Sequence, residues 1–196
     1  MPIVRPIRFA HVVYRTRRFD EMLRWYQTVF GANVQFQNPG LAFLTYDDEH
    51  HRFAILNLSL FQPNGTESDR QGAIGVDHVG YSYATVRDLL ENYAELKRKS
   101  ITPYWCIHHG IAVSLYYADP DGNQMEFQVD CCASGEEAAE FMNSGFGRNP
   151  VGVEFDPEDW LARLCSGEDE SAFLPRQVEE PVSPIRGAFS RIDSAK

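Results

Sequence analysis

Cysteine, basic residues and long apolar runs are all scarce in this chain. Cys106, Cys131, Cys132 and Cys165 are its only four cysteines. None is spaced as CxxC and two are adjacent, which suits neither a zinc knuckle nor a disulfide framework. A reducing, cytoplasmic setting is therefore expected. No apolar stretch nears the ~20 residues that a bilayer span requires. Met1–Arg8 carries two arginines but lacks the apolar core of a signal peptide. No membrane role is expected. Lysine and arginine together number 18 against 28 acidic residues, for a net charge of -10. That balance argues against a nucleic-acid partner, because phosphate binding needs clustered cationic side chains.

What is present is enough apolar material for a core: 43% of the 196 residues are hydrophobic and 13% aromatic. The length suits one compact domain or two small ones sharing an interface. The order of patterns favours a repeat. Arg8–Tyr14 alternates as a strand and is followed by an amphipathic helix from Phe19 to Phe30, closed by Gly31. Strands are expected at Val34–Gln37, Leu41–Tyr46 and Arg52–Leu60. The pattern then recurs: a strand at Val76–Tyr83, a helix from Thr85 to Lys99, and strands near Thr102–Ile107, Ala112–Ala118 and Gln124–Val129. Asp119-Pro-Asp-Gly-Asn123 reads as the hairpin turn between the last two.

The sequence thus predicts an α+β fold of two tandem βαβββ modules, 1–61 and 76–130, joined by a polar linker at 62–75. Each module is a curved half-barrel, and the pair is expected to enclose a metal site. Residues 131–196 fall outside the repeat and form a C-terminal extension, with short helices at Glu136–Asn143 and Pro157–Leu164 and a proline-rich tail. Exposed edges of the first module and this long tail together predict a homodimer.

Period-2 alternation puts Phe9, His11 and Val13 on one face of the first strand, and Val76, His78 and Gly80 on one face of its counterpart. Each histidine occupies the same place in its repeat. Glu126 lies in the last strand between Met125 and Phe127, where a carboxylate is costly to bury unless it is paired or metal-bound. Any one of the three alone reads as an ordinary strand residue; the matched positions favour a site. Two imidazoles and a carboxylate leave positions open on an octahedral ion, the arrangement used by non-haem Fe(II) in oxygen chemistry.

The segments His11-Val-Val, His78-Val-Gly and Asp119-Pro-Asp-Gly-Asn-Gln-Met-Glu126 resemble those of the vicinal-oxygen-chelate superfamily, which includes glyoxalases, bleomycin resistance proteins and dioxygenases. The likeness spans about residues 5–130 and is greatest to the type I extradiol catechol dioxygenases. It implies Fe(II), or Mn(II) with the same ligands, held by His11, His78 and Glu126. It also implies a small aromatic diol and O2 as substrates.

Three further segments carry the same resemblance. Glu49-His50-His51-Arg-Phe-Ala-Ile55 is similar to the segment holding the family's acid/base histidine, which implies that role for His51; a solvated charged loop is the competing reading. Tyr116 stands at the offset of a substrate-binding tyrosine, with packing as its alternative. His108-His109-Gly110 resembles the segment carrying a supporting histidine; His109 is the better match, and His108 stays a candidate.

Glyoxalase-like relatives use a fourth ligand, a carboxylate in the last strand of the first module. Here that strand offers Asn57 and no Asp or Glu. The resulting expectation is an Fe(II)-dependent extradiol dioxygenase that cleaves a catechol-type ring. The rivals are a metal-dependent isomerase or lyase of the same fold and a non-catalytic binder of small aromatics. Phe9, Tyr46, Phe53 and Trp105 are expected to line the pocket.

Overall fold

The computed structural model describes residues 9, 11–49, 51–61, 63, 76, 78–134, 137, 138, 140, 141, 149, 151–175 and 181–187. The chain divides into two compact units. One comprises Met1–Asp69 with Asp119–Gly122, the other Arg70–Ala118 with Asn123–Lys196.

The first unit holds β1 (Val12–Thr16), α1 (Phe19–Phe30), β2 (Asn33–Asn38), β3 (Leu41–Thr45), β4 (Phe53–Asn57) and a single helical turn, α2 (Leu58–Phe61). Its open sheet has the order β1-β4-β3-β2. β1 runs parallel to β4, and the other pairs are antiparallel. Helix α1 starts where Thr16 Oγ1 accepts the Arg18 amide at 2.8 Å and ends at Gly31, whose φ of 60° a side chain would strain. Its Phe19, Met22, Leu23, Tyr26 and Val29 are buried. Tyr26 and Phe30 pack on Phe53, with centroids at 4.6 and 4.8 Å.

The Asp119–Gly122 turn joins this unit through a bond from the Tyr26 hydroxyl to Asp119 Oδ2 at 3.2 Å. The expected strand Arg52–Leu60 stops at Asn57. There the Asn57 side chain accepts the Ser59 amide at 3.1 Å, and this local bond turns the backbone into α2.

The second unit repeats the order with β5 (His78–Ser82), α3 (Val86–Arg98), β6 (Trp105–His108), β7 (Ala112–Ala118) and β8 (Gln124–Asp130). Thr85 caps α3 by accepting the Asp88 amide at 3.0 Å. Val86, Leu89, Leu90, Tyr93 and Leu96 form the buried face of α3. Again the first and last strands of the module are parallel neighbours.

The C-terminal extension does not stand apart from this unit. β9 (Val153–Glu154) pairs antiparallel with β6, so the open sheet reads β5-β8-β7-β6-β9. Helix α4 (Pro157–Cys165) opens on the Asp156 cap with Pro157 in its first turn. Glu158 of α4 binds Tyr93 and Lys97 of α3 at 2.5 and 2.6 Å. Trp160 stacks on Phe155 at 4.0 Å and meets Phe173 at 4.9 Å. Half of the helix expected at Glu136–Asn143 lies outside the described residues, and the described Glu137, Ala138, Glu140 and Phe141 are helical. Among those described, no helix is long and apolar enough to cross a membrane.

Candidate metal centre

In the second unit the site grows from the β7–β8 hairpin. The turn at Asp119–Asn123 sets the register, which places Tyr116 directly opposite Glu126 and Ser114 opposite Gln128. On the other side of β8, Gly80 lies opposite Glu126 and His78 opposite Gln124. Glu126 therefore sits on a central strand, with His78 approaching from one neighbour and Ser114 and Tyr116 from the other.

The two carboxylate oxygens of Glu126 have different surroundings. Oε1 accepts Ser114 Oγ at 2.7 Å and the Tyr116 hydroxyl at 2.8 Å. Oε2 faces His78 Nε2 at 3.2 Å. Burial pushes the Glu126 carboxyl up, but hydrogen bonds from His78, Ser114 and Tyr116 and the field of His109 outweigh it. The group is held below the ordinary carboxylate value. A buried carboxylate kept ionised, with one oxygen bound and the other turned to an imidazole, has the chemistry of a one-oxygen metal ligand.

The spacing fits as well. Two donors roughly 2.1 Å from an octahedral ion and at right angles to each other lie roughly 3 Å apart. The 3.2 Å between His78 Nε2 and Glu126 Oε2 is close to that bite. Among the described residues, however, no group of three or more His, Cys, Asp or Glu is drawn together as a complete cation cage.

Behind Glu126 the network continues. Tyr116 OH lies 3.1 Å from His109 Nε2, and His109 Nδ1 lies 2.5 Å from the Val151 carbonyl. Trp105 covers Tyr116 at 5.1 Å and meets the His109 ring edge-on at 5.8 Å. His108 turns elsewhere, with Nε2 at 2.9 Å from the Leu174 carbonyl. Of the two candidates in the His-His-Gly segment, His109 is thus the one in the Glu126 network. Tyr117, the next residue along β7, is buried on the opposite sheet face, where burial pushes its hydroxyl pKa upward.

The first unit holds the other two candidate histidines, His11 and His51. His11 is the residue before β1, rather than within the strand as the alternation suggested, and it is exposed. His51 precedes β4 and is sandwiched between His11 and Phe43, both ring centroids 4.4 Å away. The charged loop before it is built rather than loose: Arg52 holds Asp47 at 2.9 Å, and the Asp47 side chain accepts the Glu49 amide at 3.1 Å.

Counted from each module's histidine, the first-unit counterpart of Glu126 is Ala54, since Val13 pairs with Ala54 as Gly80 pairs with Glu126. Asn57 is occupied in its turn, donating to the Pro39 carbonyl at 3.0 Å. Phe53 does not line an open face. It belongs to the helix-side core with Tyr26 and Phe30, and Tyr46 stacks on Phe30 at 5.7 Å. Ser114 escaped the sequence reading. A lone hydroxyl at i-2 from Tyr116, on the same face of an otherwise apolar strand, was the available signal.

The repeat of a strand–helix–three-strand unit, with a histidine opening each half and a carboxylate closing the second, defines a fold and site held in common by one class of proteins. The chain belongs to the glyoxalase/bleomycin resistance protein/dioxygenase superfamily, whose sequence profile matches residues 8–127. It is 47% identical over 151 residues to biphenyl-2,3-diol 1,2-dioxygenase 2 of Rhodococcus globerulus, covering 76% of this chain and 77% of that protein. It is also 36% identical over 171 residues to biphenyl-2,3-diol 1,2-dioxygenase 3 of the same organism, covering 86% and 88%. Among solved structures it resembles a glyoxylase/bleomycin resistance protein/dioxygenase domain from Frankia sp. EAN1pec. That match has 15% identity and a TM-score of 0.52, over 69% of this chain and 99% of that one. A Nocardioides member matches at 15% identity and TM-score 0.51, over 66% and 86%. At such identities the structural likeness concerns the fold alone.

Proposed function

We propose that this chain is an extradiol ring-cleaving dioxygenase that acts on an aromatic 1,2-diol with O2 and uses Fe(II) held by His11, His78 and Glu126. The observation that carries this reading is the divided carboxylate of Glu126: Oε1 is engaged by Ser114 and Tyr116, while Oε2 stands 3.2 Å from His78 Nε2. The relatives support it. A 1,2-dioxygenase of a 2,3-diol opens a ring bond outside the pair of hydroxyl-bearing carbons.

Bound Fe(II) would supply a centre where a chelated diol and dioxygen react side by side. The chain's own residues would do the rest. Tyr116 and His109 would steady oxygen atoms of the diol and of the ring-opened product through their linked polar atoms. His51, held between His11 and Phe43, would accept a diol proton and later return it, a task suited to an unperturbed imidazole pKa of ~6.5. Both atoms of O2 enter the product, an open-chain acid of the muconic semialdehyde type. The same reading places the protein in a reducing cytoplasm, where its four free thiols would persist.

The test is oxygen uptake by protein purified without air, loaded with Fe(II), and offered simple catechols and biphenyl-2,3-diol. One O2 consumed per diol, with a new yellow absorbance, is expected. Stoichiometric metal binding without oxygen uptake on any diol would overturn ring cleavage and favour proton-transfer chemistry at the same centre.

A further inference from the structure

Residues 183–187 of the C-terminal extension cross the sheet face that carries Glu126. Strand alternation puts Gln124, Glu126 and Gln128 on that face of β8, with Tyr116 and Trp105 beside them on β7 and β6. Ser183, buried, is the point where the segment fastens to the face. Its Oγ accepts the Trp105 indole hydrogen at 3.1 Å and donates to Glu154 Oε1 at 2.7 Å. Its amide donates to the Gly152 carbonyl at 2.9 Å, and buried Asn149 accepts the Gly152 amide at 2.6 Å. Arg186 grips both oxygens of Glu154, at 2.7 and 3.0 Å. An exposed ion pair of this kind adds little by itself. The buried hydroxyl is the anchor.

Gly187 shows how closely the segment passes. It has φ +84°, and a Cβ there would strike Gln124 Oε1 and stand 3.1 Å from the Tyr104 hydroxyl. Tyr104 donates to that same Gln124 oxygen at 2.8 Å, and its ring centroid lies 6.1 Å from that of Tyr116. Gln124 is the residue opposite His78. Only glycine allows this approach, which covers the Gln124 end of the site. The other end differs. Among the described residues a Cβ on Gly80 would meet only Glu126 Oε2, at 3.6 Å. Beyond it, Gln128 Nε2 donates to the exposed Ser82 at 3.3 Å.

We propose that residues 183–187 are a fixed wall at one end of the diol site, with Ser183 as the positioning residue that holds the wall to Trp105. This role rests on the ring-cleavage reading. It makes the site one-sided. A diol with one substituent beside its hydroxyl pair can turn that group away from Gln124 and over Gly80. A diol substituted on both sides cannot, so the wall selects rings substituted on one side only.

The test is calorimetric binding of 3-methylcatechol and 3,6-dimethylcatechol to Fe(II)-loaded protein without air, where no turnover is needed. The wild-type protein is expected to bind the dimethyl compound about 10–200-fold more weakly, the usual range for one carbon too many. In Ser183→Ala the two affinities are expected to converge, with that for 3-methylcatechol little changed. Gly187→Val, whose side chain must lift the segment off Gln124, is expected to do the same and serves if Ser183→Ala fails to fold. In metal-free protein the Trp105 indole hydrogen, assigned with Trp105→Phe, is expected to exchange slowly with solvent in the wild type and faster in Ser183→Ala.

Equal affinities in the wild type would overturn the wall, as would a ratio unchanged in both variants. An indole hydrogen that exchanges no faster in Ser183→Ala would remove Ser183 as its anchor. Converging affinities without oxygen uptake on either diol would sink ring cleavage and leave the wall standing; oxygen uptake with an unmoved ratio would do the reverse. Binding of neither diol would sink both.

Discussion

Glu126 and His78 meet across adjacent parallel strands with one carboxylate oxygen, Oε2, 3.2 Å from Nε2, while the other oxygen of Glu126 is bound by Ser114 and Tyr116. This division of labour between the two oxygens makes the metal reading directly testable. In Glu126→Gln the amide oxygen can still accept from Ser114 and Tyr116, but the charge is gone. Metal affinity is expected to fall by more than the 10–100-fold that follows loss of a supporting partner, with the fold kept. Metal per chain after gel filtration, with a thermal melt as control, reads both; full occupancy in the variant would remove Glu126 from the ligand set.

Ser114→Ala separates support from ligation. The hydroxyl is fully buried and points at Glu126 Oε1, so its loss costs about 1–3 kcal/mol of stability. It is also expected to weaken metal binding by about 10–100-fold. Denaturant unfolding and competition with a metal indicator give the two numbers. A stability loss with unchanged metal affinity would make Ser114 a packing residue only.

For His51 the prediction is kinetic. His51→Gln is expected to keep its metal and lower kcat by about 10²–10⁴-fold, the range for removal of a positioned acid/base. Oxygen uptake measured at saturating diol decides. A variant with near wild-type kcat would reassign the ring between His11 and Phe43 to packing.

The thiols give a prediction independent of function. Burial pushes Cys106 and Cys131 up to about 12, whereas Cys165 is exposed. At pH ~8 only about one in 10⁴ of the two buried thiols is ionised, so an alkylating reagent is expected to label Cys165 long before them. The sign for stability follows from linkage. In the unfolded chain these thiols lose their protons near ~8.5, while in the folded chain they keep them until about 12. Their contribution is present below ~8.5 and is lost as pH rises through that window. Melting temperatures between pH ~8 and ~10 are expected to decline less steeply in the Cys106→Ala, Cys131→Ala double variant. An unchanged slope would contradict the shift.

Much of this was readable before any coordinates. The Asp119-Pro-Asp-Gly-Asn123 turn fixes a hairpin register in which Tyr116 must oppose Glu126, and strand alternation then separates Tyr116 from Tyr117. The recurring strand–helix–three-strand order of patterns gave the two modules and their common topology. What stayed hidden has physical reasons. Which of His108 and His109 faces Glu126 depends on the twist of a turn and on two carbonyl partners, and a backbone carbonyl looks the same in every residue type. The early end of β4 came from a side-chain bond of Asn57 that competes with the ladder. Phe53 was misread because an aromatic in a strand fits either face, and only the size of Tyr26 and Phe30 on α1 decides which.

The bonds that hold the His108–His109 turn reach far along the chain. They join residues 42 and 66 positions apart, and Trp105 is tied to a serine 78 positions away. During synthesis both histidines leave the ribosome well before the carbonyls that will hold them. Contacts so distant close slowly, because a long loop must be ordered before they give anything back. A nascent or freshly diluted chain is thus expected to form its hairpins first and to gain a competent centre as one of its last events. Pulse-labelled hydrogen exchange would see this as late protection of the Gly152 amide relative to the amides of β7.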